Sequence, residues 1–154
     1  MIRTVTILAA TAALTASTFA ASAQTNPTGV WVNDERSTAV RVVRCGEALC
    51  GTVAWLREPR DKQGQPKVDR HNSNPKLRQR PLMGLPVLLG MKPSGENRWS
   101  GHIYNADDGR TYVSHIQMTS ANAMQVQGCV LGGLICRKMN WARDTDGRYG
   151  AKKK

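Results

Sequence analysis

A chain of 154 residues with 22 Lys+Arg against 11 Asp+Glu, a net charge of +11 and 40% hydrophobic residues has room for one domain and one hydrophobic core. Beyond its first residues, no segment is long and apolar enough to span a bilayer as a helix. The basic balance suits contact with anionic envelope polymers or lipid headgroups, or belongs to an ordinary solvated surface, and no nucleic-acid reader motif accompanies it.

The opening stretch is "MIRTVTILAATAALTASTFAASAQT". Arg3 gives a positive start, a run rich in Ala, Thr and Leu follows, and Ala21-Ser22-Ala23 is a small-x-small cleavage site. This pattern predicts a signal peptide over residues 1–23, Gln24 as the mature N-terminus, and a periplasmic or secreted protein. The run falls short of the roughly 20 apolar residues of a membrane-spanning helix. No cysteine follows the site to carry a lipid. The remaining residues, 24–154, form a single domain.

Eight short β-branched or alternating runs follow, separated by turn residues. They are Val30–Asn33, Thr38–Cys45, Cys50–Leu56, Pro86–Lys92, Trp99–Asn105, Thr111–Met118, Ala123–Val130 and Ile135–Arg143. No window has helical periodicity. Turn signals lie between most runs: "NDERS", "GEAL", "KPSGEN", "DDG", "SAN" and "LGG". Residues 57–81, "REPRDKQGQPKVDRHNSNPKLRQRP", are the exception, a long charged connection of the kind that carries function or disorder. Eight antiparallel strands on short turns close most economically as an up-and-down barrel, because closure removes both sheet edges.

The cysteines support hairpins. Metal sites want tight C-x-x-C pairs with histidines at finger spacing. Here Cys45 and Cys50, and Cys129 and Cys136, are spaced too widely, with no histidine beside them. In an oxidising compartment disulfides are the default. A turn at Glu47-Ala48 sets Cys45 opposite Cys50, Val42 opposite Val53 and Val40 opposite Trp55. A turn at Gly132-Gly133 sets Cys129 opposite Cys136, Val126 opposite Met139 and Met124 opposite Trp141. Each register sorts apolar from polar faces and brings its sulfurs within disulfide reach. The expected pairs are therefore Cys45–Cys50 and Cys129–Cys136, on the solvent side of the sheet. A third hairpin, centred on Asp108-Gly109, puts Trp99, Ile103, Tyr112, Ile116 and Met118 inside. It places His102 opposite His115 on the outer face, and no metal site is expected there.

Two features match known families. "GVW", Gly29 to Trp31, opens the first strand and Arg143 ends the last. This looks like the calycin, lipocalin-type, signature, in which a basic residue of the final strand covers a buried tryptophan. An indole gains from a guanidinium stacked over it, so Trp31 and Arg143 are expected to be structural. More extensively, "CGEALCG", "VDRHNSNPKLRQRPLMGLPVL", "W-SGHIYNADDGRTY", "GCVLGGLICR" and "WAR", in this order, resemble a family of small exported bacterial proteins called domain of unknown function 2147. The chain departs from it at Ala106, where that family suggests a proline. The resemblance implies a lipocalin-like barrel and export, and no established activity.

In an up-and-down barrel alternate connections share an end. The end that gathers the long connection also gathers Asp69, His71, Asn72, Asn74, Arg78, Arg80, Asn105, Asp107 and Asp108. Arg137 points inward there, opposite Gly128, which leaves space for its guanidinium. A buried arginine needs an acceptor, either a ligand anion or Asp69 of the folded-over connection. Arg137, Arg78, Arg80, Asp69, Asn72 and Asn74 are expected to form one cluster over the mouth, with Asn105 and Asp107 beside them. That cluster is either a ligand site or a clasp for the connection. Trp31, Trp55, Trp99 and Trp141 all fall on predicted interior positions and read as core. The one phenylalanine, Phe19, lies in the leader.

No G-x-S-x-G, H-E-x-x-H or phosphate loop is present, and no cofactor is implied. The first functional reading is an exported calycin-like module that binds a small anionic or amphipathic molecule at the long-connection end. The second is an envelope-interaction protein with a packed barrel and a basic contact surface, and on either reading a monomer is expected. The third is a hydrolase or isomerase using Asp69 or Asp107.

Overall fold

The computed structural model describes residues 25–150. The predicted leader, its cleavage site, Gln24 and the terminal lysines lie outside them. Eight strands follow in chain order: β1 Gly29–Asn33, β2 Thr38–Cys45, β3 Ala48–Leu56, β4 Pro86–Gly95, β5 Arg98–Asn105, β6 Arg110–Ser120, β7 Ala123–Val130 and β8 Ile135–Arg143. Each pairs antiparallel with the next, and β1 pairs with β8, so the sheet closes into a barrel. The closing seam matches Trp31 with Arg143, Val32 with Ala142 and Asn33 with Trp141.

All eight strands contribute to one interior cluster. It holds Trp31, Val40, Val42, Leu49, Leu88, Met91, Trp99, Ile116, Met118, Met124, Val126 and Trp141. The pleat explains the selection, since alternate residues of each strand face the lumen. Gly51 is part of this fit: a methyl group there would sit 2.9 Å from both Leu88 Cδ1 and Val40 Cγ1.

The β7–β8 register is as expected, with Cys129 opposite Cys136, Gly128 opposite Arg137 and Met124 opposite Trp141. Two other hairpins slip by two residues from the expected pairing. In β2–β3 the turn is Gly46-Glu47, with Gly46 at φ 67°, so Cys45 faces Ala48 and Val43 faces Cys50. Glycine takes that left-handed conformation at little cost, which is why the turn sits one residue earlier. In β5–β6, Ser100 faces His115 and His102 faces Val113, so the two histidines are not opposed. A slip of two keeps each side chain on its face, and Trp99, Ile116 and Met118 remain inside.

Both expected disulfides form, Cys45–Cys50 with Cα atoms 5.8 Å apart and Cys129–Cys136 with Cα atoms 4.0 Å apart. The first joins residues diagonal to one another across the hairpin rather than directly opposed. Strand β4 runs on to Gly95, through residues expected to turn. Trp55 is the tryptophan that departs from the interior. A register break between Ala39 and Val40 pairs it with Ala39, and it meets Tyr149 edge-on at 4.8 Å. The Asp144 carboxylate accepts the N–H groups of Arg148, Tyr149 and Gly150, folding that segment back toward β2, where Arg41 donates to the Gly150 carbonyl at 2.7 Å.

Candidate functional site

The start of β1 and the end of β8 lie at one end of the barrel. Trp31 is fully buried, and its indole N–H donates to the Pro27 carbonyl at 2.9 Å. The Arg143 guanidinium stands over the ring, 4.2 Å from its centroid. It donates to the carbonyls of Ala121 at 2.8 Å, Thr28 at 2.6 Å and Asn26 at 2.5 Å. Burial lowers the Arg143 pKa from its ordinary value. Gly29 has φ 136°, and a Cβ there would lie 2.6 Å from Arg143 Nη1. The glycine of G-x-W thus makes room for the cation that covers the tryptophan.

At the opposite end the long connection is ordered. It folds on itself through bridges between Arg60 and Pro66 and between Val68 and Pro81. A 3-10 turn at Pro75–Leu77 is capped by Asn74, whose side chain accepts the Lys76 N–H at 3.0 Å. Asp69 is fully buried. One carboxylate oxygen accepts the Tyr104 hydroxyl at 2.6 Å, and the other accepts Asn72 Nδ2 at 2.8 Å and Arg80 Nε at 2.9 Å. The same oxygen lies 2.8 Å from Arg80 Nη2. Asn72 also donates to the Tyr104 oxygen at 2.9 Å and accepts the Asn74 N–H at 2.8 Å, while Arg78 Nε donates to the Asn72 carbonyl at 2.8 Å. Burial first, and then Asp69, raises the Tyr104 pKa above its ordinary value.

Five of the expected cluster residues therefore gather: Asp69, Asn72, Asn74, Arg78 and Arg80. Their centre is Tyr104, which lies within the stretch "W-SGHIYNADDGRTY" but is not among the expected site residues. The pleat puts Tyr104 on the outer face of β5, one residue on from inward-facing Ile103. The connection covers it there, and Leu85 and Val53 complete a second apolar cluster with it. The cluster is thus centred on the barrel wall and not over the mouth as expected. Gly109 fixes the approach: at φ 70°, a Cβ there would lie 1.8 Å from the His71 carbonyl oxygen. Asn105 accepts the Asp107 N–H at 3.1 Å. Asp108 bonds the Tyr112 hydroxyl and accepts the Arg110 N–H. Burial opposes ionisation of Asp108, but those bonds from Tyr112 and Arg110 prevail and lower its pKa.

Arg137 does not join this cluster. It is exposed, and its guanidinium bonds to no other described residue. It ends an inward-facing row of four registered residues on adjacent strands, Gly101, Ser114, Gly128 and Arg137. The row above it is large: Trp99, Ile116, Val126 and Met139. Ser114 is fully buried and its hydroxyl has no hydrogen-bond partner, and the buried indole N–H of Trp141 has none either. Buried polar groups are nearly always bonded, so these two are the lumen's unanswered polar atoms among the described residues. A separate open recess of about 440 Å³ lies at the Arg143 end, lined by residues 25–28, Val43, Arg44 and Trp99.

Among the described residues, no cluster of three or more His, Cys, Asp or Glu side chains is placed to hold a metal ion. No described helix is long and apolar enough to cross a membrane.

The fold is shared with a solved structure described as "Protein HP1028 from the human pathogen Helicobacter pylori belongs to the lipocalin family". The two align with a TM-score of 0.67 at 22% identity, over 79% of this chain and 85% of the other. At that identity the likeness is one of fold, a lipocalin-like barrel. No curated protein matches the chain. The family model described as "Uncharacterized protein conserved in bacteria (DUF2147)" matches residues 29–143, nearly the whole barrel from the glycine of G-x-W to the arginine over its tryptophan, and the chain belongs to that family.

Proposed function

We propose that the protein is an exported, lipocalin-like binding module that takes a small anionic or amphipathic molecule at the end of the barrel where Arg137 lies. The observation that carries this reading is the row Gly101, Ser114, Gly128, Arg137, which ends on a cation with no acceptor among the described residues. A ligand anion at Arg137 would supply that acceptor, and a polar atom reaching deeper would answer the Ser114 hydroxyl. Asn105 and Asp107, on the neighbouring turn, complete the rim. Asp69, Asn72, Asn74, Arg78 and Arg80 serve the same site indirectly, by holding the long connection against β5. Export is supported by the signal-like first residues and by the two disulfides, which suit an oxidising compartment.

The competing reading, an envelope-interaction protein with a filled barrel, is favoured by the interior cluster drawn from all eight strands. Native mass spectrometry of protein taken from the periplasm of its own host separates the two. A retained small molecule that is lost in Arg137→Ala, with the fold unchanged by circular dichroism, supports the binding module. A bare wild-type mass, with no binding to a panel of fatty acids and anionic metabolites, removes it.

A further inference from the structure

The β7–β8 connection carries an apolar surface that the barrel does not use. Leu131 is 68% exposed, Leu134 85% and Ile135 60%, with Val130 at 40%. These residues are consecutive apart from Gly132 and Gly133, and Cys129–Cys136 closes the loop at its base. A cross-link there keeps the loop short, so its side chains have no path back into the core. Leu131 also has φ 51°, a left-handed conformation that glycine or asparagine adopts at less cost. A leucine there adds exposed apolar area and backbone strain together, and neither stabilises the barrel. Soluble monomers seldom present such contiguous apolar area without an interaction to serve.

The charge beside the tip indicates its partner. Arg137 and Lys138 follow directly on β8, both exposed and neither bonded to another described residue. The chain as a whole carries +11. Of the two acidic groups on the neighbouring turn, Asp108 is already engaged by Tyr112 and the Arg110 N–H, and the exposed Asp107 pairs with no cation among the described residues. Apolar side chains at a tip, with unpaired cations immediately behind them, match the layering of an anionic bilayer, hydrocarbon within and phosphate outside.

We propose that the stapled Val130–Ile135 tip is a membrane-docking wedge. It inserts Leu131 and Leu134 below the headgroups of an anionic bilayer while Lys138, on the opposite face of β8 from the inward-facing Arg137, meets lipid phosphates. Docking of this kind requires no ligand in the barrel. It would seat the Arg137 end of the barrel at the bilayer surface.

The test uses the protein as its host processes it, with both disulfides intact, and vesicles of phosphatidylglycerol and phosphatidylcholine. Co-sedimentation should be strong on mixed anionic vesicles, weak on pure phosphatidylcholine, and reduced by salt. Leu131→Ser with Leu134→Ser should weaken binding at least tenfold without changing the thermal midpoint, and Lys138→Glu should weaken it on anionic vesicles alone. Equal binding by wild type and the serine variant would overturn the proposal, as would absence of binding to anionic vesicles. So would a concentration-dependent dimer, seen by analytical ultracentrifugation and abolished by the serine variant, because the tip would then cover a second copy of this chain.

Discussion

Arg143 and Trp31 are opposed residues of the closing seam, and the guanidinium of one lies 4.2 Å from the ring centroid of the other. The pair joins the last strand to the first, and the three carbonyls that Arg143 reaches tie in the segment before β1 and the β6–β7 turn. Arg143→Ala removes the stacked cation, worth about 0.5–2 kcal/mol, together with charge-assisted hydrogen bonds. Urea melts should show a loss of at least about 2 kcal/mol. Gly29→Ala should cost nearly as much, because the added methyl meets Arg143 Nη1. A wild-type midpoint in both variants would mean that the seam holds without them.

Asp69 is the fully buried carboxylate of the clasp, and Arg80 is its one ionic partner among the described residues. Asp69→Ala leaves Tyr104, Asn72 and Arg80 without their shared acceptor. Arg80 is about a third exposed, so water can rehydrate it, and the loss should be about 2–3 kcal/mol, below that of a fully buried pair. Limited proteolysis should then cut within residues 57–85 while the barrel stays intact. Resistance equal to wild type would show that the connection is held by its apolar contacts alone.

Tyr104 gives the clasp a pH signature. Its folded pKa is raised above the ordinary 10.0, by burial and then by Asp69. A raised pKa favours the protonated form, so its contribution is fully present below about pH 10 and is lost as pH rises through the folded value. Wild-type stability should therefore fall on the alkaline side. Tyr104→Phe should be less stable at pH 8 and should show a smaller alkaline decline. Parallel curves for the two proteins from pH 8 to 11 would separate Tyr104 from that decline.

Gly109 and the two disulfides test the frame around the clasp. A Cβ at Gly109 collides with the His71 carbonyl, so Gly109→Ala should detach the connection and reproduce the protease pattern of Asp69→Ala. Each disulfide closes a short loop and should contribute about 2–3 kcal/mol. Non-reducing peptide maps should recover Cys45 with Cys50 and Cys129 with Cys136. A peptide joining Cys45 to Cys129 would contradict both hairpins.

The strands, the closure and the disulfide partners were legible because alternation, turn residues and cysteine spacing are local signals. β7–β8 read correctly down to Gly128 opposite Arg137, since its glycine pair admits one turn. β2–β3 and β5–β6 slipped by two because neighbouring residues offered competing turns, and such a slip leaves the inward and outward faces unchanged. Trp55 escaped because the break at Ala39/Val40 has no local signature. The site was half legible. The polar residues of the connection did converge, but their centre, Tyr104, reads from alternation as an ordinary outward residue. Only the path of the connection across β5, set by long-range contact with Gly109, makes it buried.

The barrel closes through residues separated by almost the whole described chain, Trp31 with Arg143. Such non-local pairing raises contact order and slows folding. As a chain emerges from its N-terminus, β1 waits with one hydrogen-bonding edge unpaired and the Trp31 ring uncovered until β8 arrives. During that interval the growing sheet is open to edge-to-edge association. A chain that stops short of residue 141 lacks every β8 partner of that seam, so its β1 edge would stay open.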